Sequence, residues 1–260
     1  MAPSQRAPEP GPAGPPPDFF RLYEGLPRQG PGSDDLTREA LRRLGPLPGS
    51  PRVLDLGCGT GRQTLVLARD LATRVVAVDN HVPFLHELDA RAAAASLSHL
   101  VETRAGDMRS LDVPEGSVDL IWSEGAIYLL GFENGLRTWR PWLAAGGKLA
   151  VSECSWLTDD PADDLRAFWD AAYPTMGTVA ANCAAAGDAG FEVLDTVPLP
   201  RSAWWDDYYT PLLARVGELE PEAQHNAVLA EAIAETRSEV ALFERFGDAY
   251  GYVFYLCRKR

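Results

Sequence analysis

Residues 53–61 read Val-Leu-Asp-Leu-Gly-Cys-Gly-Thr-Gly, an apolar strand that runs straight into a turn with glycines at 57, 59 and 61. Three glycines at alternate positions strip the Cβ atoms from a chain that must turn tightly and let a ligand rest on its amides. The next stretch, Arg62 to Leu71, carries Leu65, Leu67, Ala68 and Leu71 at helical spacing. Strand, glycine turn and helix predict a nucleotide-type cradle at the carboxyl edge of a parallel sheet.

The spacing narrows the ligand. A dinucleotide fingerprint, G-x-G-x-x-G, would need its last glycine at position 62, which is Arg62. Here the third glycine comes one residue early, and Asp55 stands two residues before the first. The pattern Asp55-x-Gly57-x-Gly59-x-Gly61 resembles the first motif of class I S-adenosylmethionine (SAM)-dependent methyltransferases. The resemblance implies SAM as cofactor, cradled by Asp55, Gly57, Cys58, Gly59 and Gly61. Arg74-Val-Val-Ala-Val-Asp79 then reads as the second strand of a βαβ unit. Asp79, with Asn80 beside it, lies where a carboxylate accepts both ribose hydroxyls. That position alone equally suits NAD, or a helix cap. A third strand from Val101 ends in Gly106-Asp107-Met108. By the same resemblance Asp107 bonds the adenine amine, and the backbone N–H of Met108 meets the ring.

Composition limits the partners. A formal net charge of −13 argues against nucleic acid and against an anionic membrane surface, and the basic cluster Arg258-Lys259-Arg260 sits at the chain end. No run approaches the roughly 18 apolar residues of a membrane span. Cys58, Cys154, Cys183 and Cys257 are scattered without C-x-x-C spacing, so neither zinc nor a disulfide framework is expected, and a cytoplasmic location is the default. The first seventeen residues hold seven prolines and read as a disordered tail, not a signal peptide. A homodimer is left open as the assembly.

From Asp18 onward the chain reads as one α/β domain. Residues 18–47 are expected to form an N-terminal helical lid, with Ser33 capping a helix to Leu44. Strands at 52–57, 74–79, 100–105, 118–123 and 147–153 alternate with helices at 61–71, 83–95 and 133–145, Gly146-Gly147 stopping the last of these. Past Cys154, helices at 161–173 and 178–190, a strand at 191–199, one long helix at 221–246 and a final strand at 251–257 complete the chain. The sum is a Rossmann-like, doubly wound, seven-stranded sheet. The final strand enters antiparallel by family resemblance. Residues 200–248 are far longer than a hairpin needs, and so read as an inserted, lid-forming helical segment.

Substrate in such a fold lies beyond the carboxyl ends of the strands. The fourth strand ends in Trp122-Ser-Glu-Gly-Ala-Ile-Tyr128, which puts Ser123, Glu124 and Tyr128 at the donor. Glu124 is read either as an active-site carboxylate or as a cap. Together with Tyr128 it is the candidate for proton handling, because the four histidines are poorly placed. The fifth strand delivers Glu153 and then Trp156, with the same two readings. Trp169, Tyr173, Trp204, Trp205, Tyr208 and Tyr209 crowd the region beyond and serve either as core or as pocket wall. Glu124 and Glu153 alone do not specify a metal, and none is expected.

The span from Asp18 to the C-terminus resembles a small group of class I methyltransferases within the wider set that includes the ubiquinone/menaquinone-biosynthesis type. The likeness is carried by Arg28-Gln-Gly-Pro-Gly-Ser33, Gln63-Thr64 after the glycine turn, Trp122–Tyr128, Gly131-Phe-Glu, Ser152-Glu153, Trp156 and Tyr250–Tyr255. It implies that Arg28-Gln29 and the following loop close over the methionine moiety, with Arg28 meeting its carboxylate; the residue-level alternative is a helix-start turn. The expected function is methyl transfer from SAM to a small-molecule acceptor through oxygen, nitrogen or sulfur. A non-catalytic SAM-binding module, a protein substrate and an NAD-linked oxidoreductase are the competing readings.

Overall fold

The β-branched and leucine-rich runs form a central sheet whose strands are buried along most of their length. The structure, a computed structural model, describes residues 16–260. The expected proline-rich tail lies outside the described residues, except for Pro16 and Pro17. In chain order the elements are α1 (Pro17–Phe20), α2 (Asp34–Leu44), β1 (Val53–Leu56), α3 (Arg62–Leu71), β2 (Val75–Asp79), α4 (Val82–Ala94) and β3 (Val101–Ala105). Then come β4 (Val118–Glu124), α5 (Phe132–Trp139), β5 (Leu143–Trp156), α6 (Asp163–Ala172), α7 (Val179–Asp188) and β6 (Phe191–Pro198). Last are α8 (Ser202–Trp204), a π-helical turn at Trp205–Tyr209, α9 (Thr210–Ala223), α10 (Ala227–Phe246) and β7 (Tyr250–Lys259).

The seven strands lie in the order β3-β2-β1-β4-β5-β7-β6. The first five are parallel, and β7 runs antiparallel between β5 and β6. Strand order reverses at β1, so the carboxyl ends of β1 and β4 flank the crevice where such folds take ligands. The expected doubly wound sheet is therefore the observed one.

Leu54, Ile121, Leu149 and Val151 pack on one side with Leu136 and Trp139 of α5 and Ala186 of α7. Leu120, Trp122, Ala150 and Phe254 pack on the other with α2 and α3. A third core covers the carboxyl ends of β5 and the start of β7: Leu22 and Leu26 from the N-terminal segment meet Cys154, Trp156, Trp204, Tyr209, Phe243 and Tyr250. Trp204 is its centre, stacked on Phe243 at 4.3 Å and on Tyr252 at 5.3 Å between ring centroids.

Three boundaries differ from expectation. The helix after β4 stops at Trp139, because Pro141 two residues on cannot continue it, and β5 already begins at Leu143. Gly146 and Gly147 therefore lie inside β5, where Gly146 takes φ +69° and the β4–β5 register shifts. The long C-terminal helix is two helices. Asn226 starts α10 by accepting from the Leu229 N–H at 3.1 Å, and α9 ends at Ala223.

Candidate active site

Gly57, Gly59 and Gly61 all take the left-handed backbone, at φ +68°, +54° and +78°. A Cβ on Gly57 would sit 2.4 Å from the Ala126 methyl, and one on Gly61 2.1 Å from Leu88 Cδ1. Both the conformation and the space therefore demand glycine. The turn is pinned from the next strand, since the N–H groups of Gly57 and Cys58 donate to the Val78 carbonyl and Asp79 Oδ2 accepts from the Gly59 N–H at 2.9 Å. Asp79 Oδ1 accepts from the His81 N–H at 2.8 Å. Met108 Sδ borders the turn, 3.8 Å from where a Gly57 Cβ would be.

Asp55 lies wholly beneath this surface. Thr64 Oγ1 donates to its Oδ2 at 2.5 Å, while Oδ1 has no partner, and burial pushes its carboxyl up to about 7. Asp79 is raised as well, by burial that the two backbone donors offset in part. Cys58 is buried, with its thiol pushed up by burial and the neighbouring acids. Asn80 and Asp107 are exposed, Asp107 Oδ1 accepting from the Arg109 N–H at 2.9 Å. The hydroxyl of Ser123 is used internally, donating to the Leu56 carbonyl at 2.8 Å.

The N-terminal segment roofs the turn. Gln29 Oε1 accepts from both the N–H and the hydroxyl of Thr60, at 3.0 and 2.9 Å. Phe20 stacks on His81 with ring centroids 4.0 Å apart. Arg28, only 4% exposed, pairs with Asp34 at 3.1 Å and with Glu124 at 2.9 Å. Glu124 also accepts from Thr37 Oγ1 at 2.7 Å and from Trp122 Nε1 at 2.9 Å. Three donors on one carboxylate make Glu124 the anchor of the roof, and this hub of Asp34 and Thr37 carried no signal in the sequence. Tyr128 faces elsewhere. It is 41% exposed and lies edge-on to Tyr173 at 6.1 Å, so the two residues read together as proton handlers look to different neighbours.

The other carboxylate lacks any donor. Glu153, 1% exposed near the carboxyl end of β5, has neither oxygen hydrogen-bonded, and burial pushes its carboxyl up to about 8. Two residues on, Ser155 closes a separate network with Tyr255 and Asn182, all three polar groups satisfied at 2.8–3.1 Å. The Tyr173 hydroxyl beside Glu153 also lacks a partner, as do the Tyr250 hydroxyl and the Trp169 indole N–H in the core around Trp204. Among the described residues, no three acids, histidines or cysteines converge as a metal cluster would require. A surface cleft of about 380 Å³ lined by Asp34, Arg62 and Arg91 runs along α3 and the end of α4.

Residues 53–147 match the family model of a methyltransferase domain. The seven-stranded sheet is the Rossmann-like fold of class I methyltransferases. The chain is 32% identical over 123 residues to phosphoethanolamine N-methyltransferase 1 of Arabidopsis thaliana, covering 47% of this chain and 24% of that protein. It is 29% identical over 226 residues to trans-aconitate 2-methyltransferase of Variovorax paradoxus, covering 84% and 76%. The structure superposes with a TM-score of 0.81 on a SAM-dependent methyltransferase of Geobacter sulfurreducens in complex with S-adenosylhomocysteine, at 20% identity, covering 94% and 98% of the two chains. The chain spans less than half the length of the plant phosphoethanolamine N-methyltransferases it matches.

The site suits SAM on its own terms. The glycine turn keeps a bare, left-handed main chain that admits no side chain, Asp79 presents a carboxylate beside it, and the buried Nε of Arg28 and Nε2 of His81 lack partners. Asp55 is a buried acid without a cation, which a ligand bearing ammonium and sulfonium charge would supply.

Proposed function

We propose that this chain transfers a methyl group from SAM to a small-molecule acceptor lying between the strand ends and the helical layer over them. SAM, when bound, supplies an electrophilic methyl on a sulfonium. Gly57, Cys58, Gly59 and Gly61 shape its bed, Asp79 with Asn80 takes the ribose, Asp107 with Met108 takes the base, and Arg28 offers its free Nε to the carboxylate. The observation that carries this reading is the glycine turn: three left-handed glycines with no room for a Cβ, tied to the Asp79 carboxylate and roofed by Gln29.

The rest of the machinery works by positioning. Holding a nucleophile in line at about 3 Å contributes roughly 7–11 kcal/mol without covalent help. Residues 17–33 and the helices from 202 to 246 form the lid, and their shared core over β5 supports an enclosed acceptor of metabolite size. The net charge of −13 supports an acceptor other than nucleic acid, and four free cysteines fit a reducing cytoplasm. No helix among the described residues is long and apolar enough to cross a membrane. A place near the ubiquinone/menaquinone-biosynthesis type is supported by the sequence motifs alone.

The test is calorimetric binding of S-adenosylhomocysteine to ligand-free protein, followed by incubation with methyl-labelled SAM and cell extract. Binding, with label appearing in a small molecule only when enzyme is present, is the expected result. A folded protein that takes up neither SAM nor its demethylated product overturns the reading.

A further inference from the structure

The surroundings of Glu153 lack something specific. Its carboxylate is 99% buried, yet no N–H or O–H lies at hydrogen-bonding distance, the Tyr173 hydroxyl being the nearest donor, and among the described residues no arginine, lysine or histidine pairs with it. A buried acid without donor or cation is costly, and native chains retain one where a ligand completes it. The groups close to it are tyrosines and a cysteine. Tyr173 is its nearest polar neighbour, Tyr128 lies edge-on to Tyr173, and Tyr252, Tyr255 and Cys154 also sense its charge.

Tyrosine rings and oxygens around a buried acid that has no cation make a receptor for a cation, through charge and through ring quadrupoles. Among the described residues no arginine or lysine pairs with Glu153 to hold a carboxylate or phosphate acceptor in its place.

Building on the methyl-transfer reading above, we propose that the site at Glu153, bordered by Tyr173, Tyr128 and Tyr252, binds the methyl acceptor and that this acceptor is an amine held there as its ammonium. Glu153 is both counter-ion and proton acceptor. The ammonium proton leaves nitrogen for a Glu153 oxygen, the freed nitrogen pair forms the N–CH3 bond, and the pair of the breaking S–CH3 bond stays on sulfur. A carboxyl raised to about 8 by burial matches an amine better than an ordinary carboxylate does. The same elevation means that Glu153 is largely protonated at neutral pH before the cation arrives.

The experiment uses the whole chain saturated with S-adenosylhomocysteine, whose sulfur is neutral, so any cation sensed is the added one. Tetramethylammonium is titrated by calorimetry at pH 7 in two buffers of different ionisation heat, with tert-butanol as the uncharged control. Expected is binding of tetramethylammonium at least tenfold tighter than tert-butanol, with release of close to one proton per cation as Glu153 ionises. Glu153→Gln should lose at least tenfold in affinity and all the proton release, whereas Tyr173→Phe, which keeps the fold, should lose three- to tenfold. Equal binding of the uncharged probe, or binding without proton release, overturns the proposal. So does a Glu153→Gln enzyme that binds the cation normally but has lost its preference for SAM over S-adenosylhomocysteine, since Glu153 would then serve the sulfonium. Failure to bind S-adenosylhomocysteine at the outset counts against the methyl-transfer reading, which separates the two failures.

Discussion

Replacing Glu153 by Gln removes one ionisation and little volume, so its effect on the ligand-free protein depends on pH in a way that can be worked out. In the folded chain burial raises this carboxyl from its ordinary 4.5 to about 8. The folded state therefore holds its proton more tightly than the unfolded state, and stability falls as pH climbs from 4.5 through about 8, then levels off. Each tenfold difference in proton affinity between the two states is worth about 1.36 kcal/mol, so the carboxylate costs about 1 kcal/mol at pH 5 and about 5 kcal/mol at pH 9. Water entry on ionisation trims the upper figure, leaving a differential on the order of 3–4 kcal/mol between the two conditions. Asp55, also raised by burial, adds its own pH dependence, but it is present in both proteins and cancels in the comparison. Urea unfolding of wild type and Glu153→Gln at pH 5 and pH 9 provides the measurement. The variant should be the more stable at pH 9, with the gap shrinking to about 1 kcal/mol or less at pH 5. Parallel stabilities across that range would show that Glu153 ionises as readily as on a surface, and would refute the account of its environment.

Two further outcomes test the cofactor end. Gly61→Ala forces a left-handed alanine against Leu88, itself fully buried with Cys58, Ala77 and Leu85, and should destabilise by about 2–5 kcal/mol in urea titration; a loss under 1 kcal/mol would mean the turn relaxes freely. Asp79→Ala should weaken S-adenosylhomocysteine binding by about 1.5–3 kcal/mol in calorimetry, because it removes charged hydrogen bonding and frees the Gly59 and His81 N–H groups together; an unchanged Kd would remove Asp79 from the ribose.

The cofactor end was legible because main chain makes it. Glycines at 57, 59 and 61 are demanded by φ and by space, and an acid at the tip of β2 is a feature of strand position, so both survive as sequence patterns. The order of the parallel strands follows from alternation with helices and needed no side-chain detail. What failed was punctuation in the variable half. Gly146-Gly147 reads as a helix stop yet lies within β5, and the break at residues 224–226 is set by the Asn226 cap inside an otherwise continuous apolar stripe. The roles of Glu124 and Glu153 were illegible for a deeper reason. Both are acids at neighbouring strand ends, and what separates them is which donors arrive from elsewhere: Arg28 and Thr37 for the first, none for the second.

That difference also decides what holds the roof down. The N-terminal segment is tied at its outer edge by Arg21 to Glu222, by Asn226 to Asp18 and by Arg215 to the Arg21 carbonyl. The Arg21–Glu222 pair is solvent-exposed, so water screens it and it contributes little. At its inner edge, Arg28 and Glu124 have side chains 5% and 7% exposed, and removing one partner of such a pair costs about 3–5 kcal/mol by stranding the other. The inner pair therefore outweighs the outer ones. Because Glu124 ends β4 and Gln29, next to Arg28, sits on Thr60, the residues that close the roof are also the residues that fix the glycine turn against the fourth strand.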